Sequence, residues 1–199
     1  PLVPAKALRV CTTGYSPGRP RGVPGLHSSR AFTSAVVVSG EDGPRYPTEH
    51  ELPRLVTEMD VLGVAFDNTF AVEIAAAEVR EHRIGRHWVQ VISSATSPYI
   101  ATSVLGMAPA PVGPEGAGML IAAPRSGMTV FMPIRERGDL EVVGPLSDVV
   151  RAIHARCEDP CNDRLYWLAG ESFYPVSADP ASDRVVVDPA LHPIIRRLR

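Results

Sequence analysis

The sequence predicts an α+β fold: one globular domain over residues 31–199, a mixed or antiparallel sheet with helices packed against it, preceded by an extended Pro/Gly-rich arm over residues 1–30. Three observations carry this. Short β-branched and aromatic runs recur along the chain, separated by Gly, Pro and Asp turn signals. Other segments place apolar residues at three- and four-residue spacing, the period of a helix with one buried face. The two kinds of segment alternate irregularly, without a strand–helix–strand repeat, which argues against a doubly wound parallel sheet.

Gly14, Pro17, Gly18, Pro20, Gly22, Pro24 and Gly25 crowd the first thirty residues. Proline fixes φ and glycine loosens it, so regular structure is expected there only near residues 5–10. The arm is ordered only if it docks, with Leu8, Tyr15 and Leu26 as its anchors. Residues 35–39 (AVVVS) then read as a strand ended by Gly40-Glu41-Asp42-Gly43. Thr48 and Glu51 have the spacing of a helix capping box, cut short by Pro53.

A longer helix is expected from Thr57, with Val61, Val64, Ala65, Val72, Ala75, Ala76 and Val79 as its stripe and Gly85 as its end. Residues 87–93 (HWVQVIS) read as a strand. Ser97 and Pro98 suit the start of a short helix, and residues 107–118 read as a loop. A hairpin follows: residues 119–123 and 128–134 joined by Pro124-Arg125-Ser126-Gly127. A helix over 147–158 buries Leu146, Val149, Val150, Ile153 and Cys157. A second hairpin joins residues 165–168 to 173–176 through Ala169-Gly170-Glu171.

Several of these segments together resemble a bacterial family of uncharacterised proteins. The likeness rests on "RAFTSAVVVSGEDGPRYPTEHELPRL", "VLGVAFDNTFAVE", "SPYIATSVLGM", "GMLIAAPRSGMTVFMPI" and "GPLSDVVRAIHARC" in that order, over roughly residues 30–177. Ala65-Phe66-Asp67-Asn68 matches the family's A-x-x-N element, and Tyr99 to Ser103 resembles its "yaAS" segment. Pro133-Ile134-Arg135-Glu136 resembles its "P-x-R-D", with Glu136 where the family has aspartate. The family carries no established activity, so the resemblance implies an architecture and no mechanism.

Composition narrows the partners. The chain has 199 residues, 45% hydrophobic and 21% charged, with a net charge of -2. That is an ordinary globular balance, with no field to steer nucleic acid or an acidic membrane surface. Lys6 is the only lysine, a bias that suits GC-rich bacterial coding. No window has the length of apolar sequence that a membrane span needs, and the start lacks the apolar core of a secretory signal. Three cysteines make no disulfide framework, so a reducing cytoplasm is the expectation.

The chemistry-bearing residues fall into a few separate groups. His154, Cys157 and Cys161 form H-x2-C-x3-C, three ligands where structural zinc takes four, so no metal and no cofactor is expected. Asn68 interrupts an apolar stripe, so it either ties its helix to backbone or meets a ligand. Arg125 and Arg135, with Arg137, flank a hydrophobic strand and suit carboxylate or phosphate recognition or plain solvation. Tyr99 joins Asn68, Arg125 and Arg135 as a binding candidate. Ser93, Ser94, Ser97 and Ser103 lie near His82 and His87 in sequence, without a nucleophile elbow. No P-loop or dinucleotide fingerprint is present. The sequence therefore points to a non-catalytic cytoplasmic module that binds or regulates another protein. The second reading is a hydrolase with a site assembled from distant residues.

Overall fold

The computed structural model describes residues 3–14, 27–48, 51, 58–107, 117–182 and 184–199. In chain order its strands and helices are β1 (Leu8–Gly14), β2 (His27–Ser28), β3 (Phe32–Gly40), β4 (Gly43–Arg45) and α1 (Glu58–Asn68). There follow β5 (Glu78–Ile84), β6 (His87–Ser93), α2 (Ser103–Gly106), β7 (Met119–Arg125) and β8 (Met128–Pro133). Last come α3 (Val143–Arg156), β9 (Leu165–Ala169), β10 (Ser172–Ala178), β11 (Val185–Val186) and α4 (His192–Arg197). The fold is α+β, and both of its sheets are antiparallel.

The smaller sheet has four strands, with β1 along one side of β3 and β2 and β4 sharing its other side. The larger has seven, in the order β11-β10-β9-β7-β8-β6-β5. Alternation along these strands sends side chains to two different cores. Val89, Leu120, Ala122, Val130, Leu165 and Trp167 point to α3, where Val143, Leu146 and Val150 meet them. Ile121, Ala123, Tyr166 and Leu168 point the other way, against Phe32 of the small sheet and Ala101 and Val104. Phe32 lies 5.5 Å from Tyr166 and 5.3 Å from Phe173, centroid to centroid. Offset and edge-on contacts of this kind add to the area buried.

Residues 3–14 of the expected arm lie against the body, with Leu8 buried as one of its anchors, and they do so as part of a sheet. β1 pairs with β3 over seven registered positions, and Leu8 and Val10 are buried against Val61 and Ala65 of α1. Three β-branched residues in seven, Val10, Thr12 and Thr13, were enough once β3 offered a ladder. The outer edge of β1 is also closed. Val10 N donates to Thr69 Oγ1 at 2.8 Å, Val10 O accepts from Thr102 Oγ1 at 2.8 Å, and Gly14 N donates to Cys161 O at 3.1 Å. Covering an edge this way removes a template for aggregation. The proposed anchors Tyr15 and Leu26 lie outside the described residues.

The long helix is also shorter than expected. The start near Thr57 lies outside the described residues; from Glu58 the helix runs to Asn68, widens into a π-turn over Thr69–Ile74, and gives way to β5. Thr69 Oγ1 bonds back to Ala65 O at 2.7 Å, a contact that loosens a helix at that point. Val72 and Val79, expected on the buried stripe, are exposed. Gly85 ends a strand, not a helix: at φ +59 it turns the β5–β6 hairpin.

Other expectations moved by a few residues. Helix α3 begins at Val143, with Pro145 in its first turn where no amide is lost. Thr48 and Glu51 do meet, Thr48 N on Glu51 Oε2 at 2.9 Å and Glu51 N on Thr48 O at 3.0 Å. Among the described residues no helix is long and apolar enough to cross a membrane.

Candidate functional site

The four residues singled out in the sequence serve separate contacts. Asn68 is half-buried, and its carboxamide donates to Ala5 O at 2.9 Å and Leu8 O at 3.2 Å. It ties α1 to the turn that leads into β1. Tyr99 is buried, and burial raises its pKa. Arg125 pairs with Asp159 at 3.0 Å, while Asp159 Oδ2 accepts from Gly127 N at 3.1 Å. That pair pins the β7–β8 turn to the segment before β9. Arg135 is exposed, and among the described residues it is its backbone N–H that is engaged, with Asp139 Oδ2 at 2.7 Å.

The cysteines and serines are occupied structurally. Cys157 is half-buried at the end of α3, its thiol directed at His154 O at 3.4 Å. Cys161 Sγ lies 3.6 Å from Thr12 O, and burial pushes its thiol up to about 12. Burial likewise pushes Cys11 up to about 11. Thiols held protonated are poor nucleophiles and poor metal ligands. Among the described residues no three of His, Cys, Asp and Glu converge to hold a metal. Ser94 Oγ accepts from Ser97 N at 3.0 Å, Ser97 Oγ from Tyr99 N at 3.3 Å, and Ser103 Oγ donates to Thr129 Oγ1 at 2.9 Å. His87 faces Asp139 at 3.6 Å, and His82 is exposed on β5. None of these hydrogen bonds joins a serine to a histidine.

Three features escaped the sequence. The first is an ion pair between Arg9 and Glu73 at 2.8 Å, mostly withdrawn from solvent, with Arg9 also donating to Lys6 O at 2.8 Å. The second is a cleft of about 1040 Å³ between the turn before α3, the β10–β11 end and α4. Arg137, Arg184, Arg199 and Glu141 supply its charge, and Leu140, Val185, Val187 and Ile195 its apolar lining. Arg137 N donates to Arg199 O at 3.1 Å, which holds the end of α4 to the cleft wall.

The third is the β5–β6 hairpin at the end of the large sheet. Register places Val79, Glu81, Arg83, Trp88, Gln90 and Ile92 on one face, with Arg83 opposite Trp88. Trp88 is 58% exposed and Val79 60%. No residue of β5 is buried. Phe131 of β8, opposite Gln90 on the same face, is half-buried and extends the apolar surface from Trp88 toward the sheet centre. A signal for this face was present, since period-two alternation in HWVQVIS sets Trp88 on the face opposite to Val89 and Val91. With a domain already covering one face, the residue that stays exposed marks the uncovered one. The chain matches no protein-family model, and no curated protein or solved structure is significantly similar to it.

Proposed function

We propose that this chain is a non-catalytic module that binds and regulates another protein, engaged through the Trp88 face of the β5–β6 hairpin. The observation that carries the reading is the exposure of Trp88 beside Arg83. Tryptophan and arginine are the residue types most often found to dominate protein–protein binding energy. Trp88 is 58% exposed, so a partner can cover roughly 90–145 Å² of it, worth at most about 2–3.5 kcal/mol at about 25 cal/mol per Å² before the costs of association. The charges along β5 suit an edge strand that resists self-pairing, so the partner meets the face of the hairpin. Engaged serines and protonated thiols speak against the hydrolase reading. A reducing cytoplasm fits three free cysteines.

Affinity purification from the native host, compared between the wild-type chain and Trp88→Ser, tests this. The expected result is a stoichiometric protein retained by the wild type and lost in Trp88→Ser, with the far-UV spectrum and melting temperature unchanged. Identical retained proteins in both samples would remove the hairpin from the binding role. Turnover of a panel of esters, phosphoesters and peptides would instead favour the hydrolase.

A further inference from the structure

The cleft beside α4 is walled by arginines that form no ion pair among the described residues. Arg137, Arg184 and Arg199 come from three separate segments, and none has a described carboxylate within 4.0 Å. The neighbouring acids are committed elsewhere. Glu141, on the same wall, pairs with Arg86 at 3.1 Å. Asp139 accepts from the backbone of Arg135 at 2.7 Å and Glu136 at 3.0 Å. Asp179 accepts from Ala181 N at 3.0 Å and Ser182 Oγ at 2.6 Å, which lowers its pKa, and Asp188 accepts from Ala190 N at 2.9 Å. Glu141 is matched by Arg86, and the main-chain oxygen of Arg199 is held by Arg137 N, so the guanidinium groups of Arg137, Arg184 and Arg199 outnumber the carboxylates of the lining.

Like charges gathered on one concave surface raise the local potential, and an anion entering it relieves that repulsion. Guanidinium groups also supply paired N–H donors that match carboxylate and phosphoryl oxygens. The rest of the lining is apolar: Leu140 is buried, and Val185, Val187 and Ile195 are partly so. A cleft of about 1040 Å³ has the size of a small-molecule site, not of a single-ion site.

We propose that this cleft binds a multiply charged organic oxyanion, phosphoryl or polycarboxylate, with the anionic end on Arg137, Arg184 and Arg199. Its apolar body rests on Leu140, Val185, Val187 and Ile195. The site lies on α4, the β10–β11 end and the turn before α3; Arg86 of the hairpin turn reaches its wall at Glu141, but the Trp88 face takes no part in it, so the variants that test the two readings are different. Because the arginines are exposed at the rim, affinity falls as salt rises.

Isothermal titration calorimetry at about 0.15 M salt with pyrophosphate, adenosine 5′-diphosphate and citrate tests the proposal. Saturable binding of the nucleotide or of citrate is expected, weakened about tenfold or more in Arg184→Gln and in Arg137→Gln, since hydrogen bonds to charged groups carry about 1.5–3 kcal/mol. Arg156→Gln, an exposed arginine outside the cleft lining, should bind like the wild type. Preference for the nucleotide identifies a phosphoryl ligand, and preference for citrate a polycarboxylate. Absence of saturable binding for all three probes overturns the proposal. So does equal binding by wild type, Arg137→Gln and Arg184→Gln, with all three shown to be folded by their melting curves.

Discussion

Asn162 and Ala31, 131 positions apart, share a hydrogen bond of 2.8 Å that joins the two sheets. Ala31 directly precedes β3 and Asn162 lies just before β9. The Asn162 carboxamide is buried and fully used: Nδ2 also donates to Tyr166 Oη at 3.1 Å, and Oδ1 accepts from Arg164 N at 3.0 Å. Its backbone N–H reaches Ala123 O on β7 at 2.9 Å. One side chain thus fixes the spacing between the sheets beside the Phe32–Tyr166 contact.

Replacing Asn162 by Ala leaves a buried carbonyl and a backbone amide without partners. The expected loss is about 2–3 kcal/mol, the range for orphaned buried groups. Asn162→Asp should lose at least as much, because a carboxylate has no proton to offer Ala31 O. Urea unfolding midpoints of the two variants and the wild type check this. A midpoint within error of wild type for Asn162→Ala would show that the sheets are held by apolar contact alone.

The Arg9–Glu73 pair makes a second prediction. The side chains are 9% and 16% exposed, so each charge depends on the other for solvation. Removing one partner of a buried pair costs about 3–5 kcal/mol, whereas replacing both with apolar groups is often neutral. Glu73→Gln should therefore destabilise by about 3 kcal/mol, and Arg9→Met/Glu73→Leu should recover most of that loss. Guanidinium unfolding of the single and double variants measures the difference. A double variant less stable than Glu73→Gln would mean that Arg9 acts through its bonds to Lys6 O and Leu8 O.

Much of this fold was legible, and the exceptions have physical causes. The hairpins at Pro124 to Gly127 and Ala169 to Glu171 announced themselves because turn residues sit between runs that alternate with period two. β5 did not. Its residues up to Arg83 are exposed on both faces and only Ile84 is partly buried, so no burial pattern was imposed on them, and Val72, Ala75, Ala76 and Val79 fell by chance on a helical stripe. β1 was read as arm because its ladder partner, β3, lies about twenty-five residues away in sequence and contributes most of the order. The site candidates show the same division. Arg125 and Arg135 were visible as arginines at strand ends, yet Arg125 is taken up by Asp159, 34 residues on, and Arg135 bonds through its backbone N–H to Asp139. Arg137, Arg184 and Arg199 converge only because α4 folds back on the turn before α3, and nothing in three isolated arginines foretells that.

The thiols make a prediction with a definite sign. Burial raises Cys11 to about 11 and Cys161 to about 12, against an ordinary value near 8.5. Below about pH 8 both are protonated whether the chain is folded or not, and their contribution to stability is fully present. Between about pH 9 and 11 the unfolded chain loses these protons while the folded chain keeps them. The unfolded state then binds fewer protons, so stability falls as pH rises. Iodoacetamide at pH 8 should alkylate Cys11 and Cys161 only after denaturant is added, as read by peptide mass mapping. The decline in urea midpoint from pH 8 to 10 should be shallower in Cys11→Ala/Cys161→Ala than in the wild type. Equal slopes would show that other groups carry the alkaline loss.

Two glycines with opposite surroundings give the last prediction. Gly118 has φ +86, and a Cβ placed there would collide with the backbone oxygen of Leu168 and lie 3.2 Å from Trp167 Nε1. Both neighbours are on β9, and neither is the loose end of a flexible chain. Trp167 Nε1 moreover donates to Ala117 O at 2.6 Å, so the indole is held where the new methyl would go. Strain of about 1–2 kcal/mol from the left-handed backbone adds to a clash that only movement of β7 from β9 relieves. Gly118→Ala should therefore cost about 3 kcal/mol or more, within the range for strained and overpacked sites. Gly63 is the contrary case: it lies inside α1, is exposed, and has open space where a Cβ would stand. Alanine there should stabilise by about 1 kcal/mol, because glycine gives up more backbone freedom on entering a helix. Thermal melts of the two variants, read side by side, test both signs at once. Stabilisation by Gly118→Ala would mean that β7 and β9 are not packed at the separation that the Trp167–Ala117 bond requires, and destabilisation by Gly63→Ala would place that face of α1 against something.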